Sequence, residues 1–587
     1  MAFVPANPDI GSILEPGVFT SFNFTGSGAA ILNTDRSAML MGYRLSSGAG
    51  VADTPQLYTQ QSDVNTDHGR GSEIARNFAA FNAQYGPGFE VWCTGITPPS
   101  GGAQATYVFT FAGPATTAGF VSISFAGYVI STSVAIGDTA TIVCTNLYGA
   151  RQAILDSGVS LTDSGSGTLT ATYAHKGVTG EDYPIIVHQD GATGITISNG
   201  KITFAGAPGG SAGSITVTMG GTTVTAAIDP AVQTTAILAS TAVAAAINAS
   251  STAPFTAVDD GAAHCTLFPR NDRPLRRLSV ATVAPLTTVA GTISLNGTIG
   301  SGTPTLTNAL TNAAALSRGF AAWVPSFGDS TSIGTLVTHG ESEGNGVIQK
   351  NQSFFVASTA KLATAGAIIT SASPSPTTML NAGWSMYWVK DAPQQGFELA
   401  ARYAAIYLYP AYFPQNIAGT PLATRAAVPL GAPAIIDRPI RVDREAAMST
   451  YFMTVGLVNA SGQLTIERPI TCSNAANLDL HDLSTMRQIH TSRPNLNQFL
   501  TTLFTGKSFR ANGVPRTSNT VTLQSIKDAI TTWIQGLDDQ DRFDGVDVWK
   551  SAINVAVDPV ISGRVRAFVP YALIRPLYQL TPVIAPV

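Results

Sequence analysis

The spacing of apolar side chains changes several times along the chain, and each change predicts a different element. Residues 71–86 place Ile74, Phe78 and Phe81 three and four apart, behind Ser72 and ahead of Gly86 and Pro87, which predicts a capped helix. Residues 89–96 then read as a buried strand, and residues 31–43 as a strand that follows an extended, Pro/Gly-rich start. From about 97 to 290 the period falls to two. Short Thr/Val/Ile runs at 107–113, 121–130, 139–144, 194–206 and 213–228 are separated by glycines and predict strands at hairpin spacing, with an Ala-rich helix at 234–250.

Residues 291–440 alternate differently. A helix precedes the strand at 320–327, a second strand covers 353–359, and 393–408 is an amphipathic helix with Phe397, Leu399, Ala400, Tyr403 and Ile406 on its buried side. Strands alternating with helices imply an α/β layer. From 441 the text mixes predicted helices (444–457, 479–504, 523–537) with predicted strands (462–471, 547–560, 563–571), an α+β pattern.

The last stretch, 564–587, is apolar and broken by Pro570, Pro576, Pro582 and Pro586. Proline at that spacing excludes a helix interior and a central strand, yet Val565, Phe568, Tyr571, Leu573, Ile574, Leu577, Tyr578 and Leu580 need burial. The segment reads as an extended arm ending on another surface, as a strand added to a neighbour's sheet. An ordinary terminal strand docked on its own domain fits the same residues. The expected organisation is an N-terminal arm (1–30), a first core part (31–96), a β-rich, sandwich-like, outward-facing insertion (97–290), an α/β core layer (291–440), a C-terminal α+β core domain (441–565) and a C-terminal arm (566–587). The fold class expected is multidomain, α/β and α+β.

At 587 residues the chain exceeds the size of one core. Only 12% of residues are charged and 44% are hydrophobic, against about 25% charged in ordinary soluble proteins. Outer faces so sparsely charged are cheap to desolvate and suit coverage by further copies of the chain, although a Thr-rich secreted β-protein has the same composition. A net charge of −4 argues against a sequence-independent nucleic-acid binder, since the one dense basic run, 270–277, is short. Cys93, Cys144, Cys265 and Cys472 are scattered without a CxxC pair, so a reducing compartment is expected, with neither a zinc site nor a disulfide framework. The first residues lack the pattern of a signal peptide, and no apolar run is long enough to span a membrane.

Candidate chemistry is thin. Asp163, His339 and Ser371 to Ser375 follow the chain order of a subtilisin-type triad, but His339-Gly340 runs into Glu341-Ser342-Glu343 and no Gly-Thr-Ser block exists. Gly506-Lys507-Ser508 lacks the leading glycine of a phosphate loop, because Thr501 stands there. Asp538, Asp539, Asp541, Asp544 and Asp547 miss the ligand spacing of a calcium loop at Phe543. The seven histidines (68, 175, 188, 264, 339, 481, 490) form no metal-binding pair. No catalytic residue, cofactor or metal is expected.

Several groups of residues are informative in combination. Glu15-Pro16-Gly17-Val18-Phe19 is a Pro-Gly-Val-aromatic opening, followed by the strand ending at Gly42. Residues 175–182 form a Gly-containing turn before the strand at 183–187, Ile466-Glu467-Arg468-Pro469-Ile470-Thr471 is a Glu-Arg-x-Ile-Thr strand, and 479–493 carries an Asp-x-x-Thr helix. Val546-Asp547-Val548 and 564–580 close the series. On these residues the chain resembles the tail sheath proteins of contractile-tailed bacteriophages and contractile injection systems, over roughly 1–95 and 290–587. Pro469 stands where the family has a small residue and predicts an edge or bulge there.

The resemblance implies a sheath core with a subtilisin-like, non-catalytic α/β layer, and a structural protein, not an enzyme. Subunits of that family form stacked hexameric rings around a tail tube, linked by arms that exchange strands, and contraction drives the tube through the host envelope. The implied partners are further copies of the chain, the tail tube protein, and baseplate and tail terminator proteins, without nucleic acid or membrane insertion. The implied location is the virion tail, assembled in the host cytoplasm. The intersubunit arm residues expected are Pro16, Val18, Phe19, Phe568, Tyr571, Leu573, Ile574, Leu577, Tyr578 and Leu580. The alternative reading is a tail-associated host-recognition or adhesive β-protein.

Overall fold

The computed structural model describes residues 37–569 except 87, 181, 193, 220–221, 276–277, 296, 299, 317, 346–347, 349, 351, 379–381, 410–416, 424–427, 474–480, 511–518, 539–545 and 560–563. At its centre is an eight-stranded sheet in the order Gln56–Tyr58, Glu90–Ile96, Ser37–Tyr43, Ala322–Pro325, Gln352–Ser358, Ala382–Trp388, Thr454–Val458, Leu464–Ile466. The inner pairs are parallel and the two outermost pairs antiparallel. Parallel strands need crossovers that cover both faces, and accordingly every residue of Ser37–Tyr43 and of Ala382–Trp388 is buried. Alternate side chains serve the two faces. Ala38 and Leu40 join Phe78, Phe81, Leu399 and Tyr403 under the helices Glu73–Tyr85 and Gly396–Leu408, while Met39, Met41 and Tyr43 join Ile333, Leu336, Phe354 and Trp384 on the other face.

Local signals explain these helices. Ser72 accepts from the Ala75 amide, and Gln395 with Glu398 forms a reciprocal capping box. The expected helix at 444–457 is corrected: the helix is Arg441–Ser449, Phe452 adopts a φ of 53°, and Thr454–Val458 is the strand that pairs with Ala382–Trp388. Turn geometry and pairing override the helical pattern there. The sheet therefore crosses the boundary expected at 440/441.

The insertion leaves after Ile96 and returns before the helix Thr307–Ala314, closed by reciprocal amide bonds between Ala103 and Ser301 at 3.0 and 3.1 Å. Its sheets and the helices Ala140–Gly149 and Ala236–Ala249 share one hydrophobic core that includes Phe109, Ile123, Leu169, Ile202, Val217 and Leu267. Residues 139–144, expected as a strand, instead begin the helix Ala140–Gly149. Thr139 caps it, and Val143, Cys144 and Leu147 pack inward at helical spacing. The last strand, Ala290–Leu295, pairs with Gly200–Ala205, so the module extends past the expected limit at 290.

The C-terminal part packs the helices Leu483–Phe504 and Leu523–Asp538 around Leu496, Leu500, Ile530 and Trp533. The strand expected at 547–560 is confined to Asn554–Val557, because Val546–Trp549 is helical and Lys550–Ala552 is a 3-10 turn.

Candidate functional site

Two places concentrate unusual structure: a hairpin at the C-terminal end of the described chain, and a buried polar junction between sheet and insertion.

The hairpin pairs Asn554–Val557 with Val565–Phe568 antiparallel, and among the described residues no third strand joins it. Isolated two-stranded sheets are marginal in water, so this one depends on what flanks it. Below it, Ile553, Val555 and Val569 pack on Trp533, Ile530 and Ile534. Beside it, Asp558, whose side chain is fully buried, accepts hydrogen bonds from Arg564 and, at 2.7 Å, from Arg566 Nε, while its amide donates to Arg564 O at 2.8 Å. Two guanidiniums on one carboxylate hold the turn end shut. Val557 and Phe568 are 40% and 39% exposed.

Of the expected arm residues, Phe568 sits opposite Asn554 in this hairpin. Pro16, Val18, Phe19, Tyr571, Leu573, Ile574, Leu577, Tyr578 and Leu580 lie outside the described residues.

The junction is built on the helix Glu73–Tyr85. Glu73 is fully buried and accepts from Tyr173 Oη at 2.8 Å, Thr179 Oγ1 at 2.6 Å and the Tyr43 amide at 3.3 Å. Burial still dominates and pushes its carboxyl up to about 7. The Glu73 amide donates to His175 Nε2 at 3.2 Å, and burial followed by the nearby Arg76 lowers that imidazole to about 3. One turn on, Arg76 pairs with Glu398 and donates to Gln395 Oε1 at 2.6 Å, and Gln395 Nε2 in turn reaches Thr179 O at 3.0 Å. Tyr173, His175 and Thr179 belong to the insertion, so the bonds they make cross between modules. Beside the junction opens a groove of about 530 Å³ lined by Phe78, Asn82, Tyr128 and Val428. Arg70 and Asp156 bridge its rim through bonds of 2.6 and 2.8 Å.

The triad-like residues are engaged separately. Asp163 accepts from Thr145 Oγ1 at 2.8 Å, His339 lies half-buried with its ring 5.2 Å from the Trp323 ring, and Ser371 and Ser375 donate to Ala367 O and Ile369 O. Gly506 and Lys507 form a loop after a helix, and Asp547 pairs with Lys550. The four cysteines are free and buried, and among the described residues no His/Cys/Asp/Glu group is arranged to hold a metal. No described helix is long and apolar enough to cross a membrane. The sequence reading missed both the Asp558 clamp and the junction. A signal existed for the clamp, since Asp558 stands inside the apolar run 553–561.

No family model matches the chain. Over 144 residues it is 31% identical to a Mu-like prophage tail sheath protein of Haemophilus influenzae, a match covering 24% of this chain and 29% of that protein. The chain resembles a tail sheath protein. It spans less than a third of the length of this sheath relative. Among solved structures, a sheath tail protein of Listeria innocua aligns at 11% identity over 93% of this chain and 96% of the other, with a TM-score of 0.39. The anti-feeding prophage baseplate aligns at 11% identity over 46% and 68%, with a TM-score of 0.31.

Proposed function

We propose that the chain is a structural tail sheath subunit that polymerises as stacked hexameric rings around a tail tube and contracts to drive the tube through a host envelope. The observation that carries this reading, beside the sequence relative, is the hairpin Asn554–Val557/Val565–Phe568, two-stranded among the described residues, which runs directly into the Pro-punctuated apolar segment 570–587. A sheet to which only two strands belong among the described residues is a platform for added strands, and a segment of strand-forming residues that cannot sit mid-sheet supplies one to a neighbour. Pro16, Val18, Phe19, Phe568, Tyr571, Leu573, Ile574, Leu577, Tyr578 and Leu580 are the arm residues in this reading. Backbone hydrogen bonds made by a tethered arm survive rigid-body reorientation of the subunits they link, which is what contraction requires. Its partners are further copies of the chain, the tail tube, baseplate and terminator proteins, its location is the virion tail after assembly in the host cytoplasm, and the insertion faces outward.

Negative-stain microscopy of the purified chain at rising concentration tests this. Hollow tubes are expected from the full chain and folded monomers from a chain lacking residues 571–587. Tubes from the truncated chain would overturn the arm assignment. Small particles that bind cells would favour the adhesive alternative.

A further inference from the structure

The helix Leu483–Phe504 belongs to two bodies at once. Its first half is fastened to the central sheet: the Leu483 amide donates to Pro469 O at 3.3 Å, Arg487 Nη2 donates to Leu408 O at 3.3 Å, and His490 Nδ1 lies 3.4 Å from Ser353 Oγ. Its second half supplies Leu496, Phe499, Leu500 and Phe504 to the separate core that holds Ile530, Trp533 and Ile534. After Leu464–Ile466 no further strand joins the eight-stranded sheet among the described residues, and the chain enters the C-terminal module through this helix.

Between the two halves, at the middle of a 22-residue helix, stands Pro494. A proline has no amide hydrogen to give to the carbonyl one turn back, so the helical ladder is weakest there. Neighbouring side chains compete for the same backbone. Thr491 Oγ1 donates to Arg487 O at 2.9 Å and to Gln488 O at 3.1 Å, and Asn495 Nδ2 donates to Thr491 O at 3.4 Å. Hydroxyls bonded back onto the preceding turn bend helices, and sharp changes of helix direction occur at proline. Two independent weakenings therefore fall on residues 491–495, where one core ends and the other begins. The insertion is held in the opposite way, tied to the sheet body from four places along its length. Tyr173 reaches Glu73 at 2.8 Å, Asp156 Arg70 at 2.6 Å, Thr223 Lys361 at 3.1 Å, and Arg273 Asp437 at 3.0 Å.

We propose that Pro494 is a hinge: the C-terminal module, which carries the hairpin and leads into the segment 570–587, turns about residues 491–495, while sheet and insertion move together as one body. A hinge needs a few residues that absorb the change of direction and stiff elements on either side. The first half of the helix, bonded to the sheet, and the second half, packed in its own core, are those elements. In a sheath the freedom has a use, and that use rests on the self-assembling reading: the module keeps its hold on a neighbouring copy while the body behind it changes direction. The hinge itself is a property of the single chain.

The test measures the hinge in the free full chain. Thr335, exposed on the helix Ser330–Glu343, and Thr502, exposed beyond the proline, are replaced together (Thr335→Cys, Thr502→Cys) and carry nitroxide labels; the native cysteines are all buried. Pulsed electron resonance is expected to read a broad distribution of separations, and Pro494→Ala, which restores the missing amide, to narrow it about twofold. Amide exchange across residues 491–498 is expected to slow by about tenfold or more in the same variant. A narrow distribution before that substitution, with exchange at 491–498 as slow as in the helix Gly396–Leu408, would overturn the hinge. So would a broad distribution that Pro494→Ala leaves unchanged. Microscopy of the unlabelled chain separates this inference from the sheath reading. Tubes from a chain with one sharp separation would remove the hinge and leave the sheath, and a hinged chain that never polymerises would support the hinge and count against the sheath.

Discussion

Arg76 and Glu398 meet at 3.1 Å with side chains 2% and 3% exposed, and they tie the helix that follows the first core strands to one that begins some 320 residues later. The guanidinium also lies 5.4 Å from the Tyr183 ring of the insertion and 5.2 Å from Phe397. One ion pair thus spans three parts of the chain that sequence separates widely.

Breaking that pair leaves a buried charge alone. Arg76→Ala is expected to cost about 3–5 kcal/mol, and Arg76→Met combined with Glu398→Leu to recover much of it, because two apolar groups replace two charges that were costly to desolvate. Chemical denaturation of these variants beside the parent measures this. Equal stability of Arg76→Ala and the parent would rule out the pair as a structural tie.

Glu73 predicts a pH dependence of definite sign. Its carboxyl is held at about 7 in the fold against 4.5 ordinarily, so its contribution is complete below about pH 4.5 and is lost as pH rises to 7. Glu73→Gln should flatten that fall when melting temperature is followed from pH 4.5 to 8. Three imidazoles act in the opposite sense: desolvation lowers His175 to about 3 and His68 and the half-buried His339 to about 4 from 6.5, so their contribution is present above pH 6.5 and lost as pH falls toward 4 and 3. His339→Phe is expected to weaken the acid-side loss. An unchanged profile in both variants would refute the assignments.

Gly366 is a contact requirement. A Cβ there would lie 2.0 Å from the Tyr451 ring, so Gly366→Ala should cost about 1–3 kcal/mol by overpacking despite its better helix propensity. Pairing it with Tyr451→Ala should return part of the loss, and thermal melts of both decide the matter.

Asp558→Asn removes the charge that gathers Arg564 and Arg566. Faster amide exchange across residues 554–568 is expected, with exchange in the eight-stranded sheet unchanged and assembly reduced. The local loss should be about 2–3 kcal/mol, the worth of charge-assisted hydrogen bonds. Uniform exchange across both regions would show that the hairpin is not a separate unit.

Much of the sheet and its covering helices was legible in the sequence. The helix at 73–85 announced itself by Ser72 and the Ile74/Phe78/Phe81 face, and the helix at 396–408 by its apolar stripe. What misled was chemistry that serves two structures. The Thr/Ile/Val run at 139–144 has strand composition but is capped into a helix by Thr139, and the strand at 454–458 continues a helical pattern until Phe452 turns the chain. The junction was illegible for a different reason: Glu73 and Thr179, or Arg76 and Glu398, have no local relation, and only the three-dimensional path brings them together. The arms remain a matter of sequence, apart from Phe568 in its hairpin.

The doorway at Ala103 and Ser301 makes the central sheet indifferent to how many residues hang outside it, since the two amide bonds that close it are the same for a short turn or a whole domain. A designer could treat it as a mounting point for foreign cargo. The attachment carries a specification all the same: whatever is grafted must bring hydroxyl donors back to Glu73, as Tyr173 and Thr179 do, and acceptors for the Glu73 amide and Gln395, as His175 and Thr179 O do, or arrive together with an apolar residue at position 73.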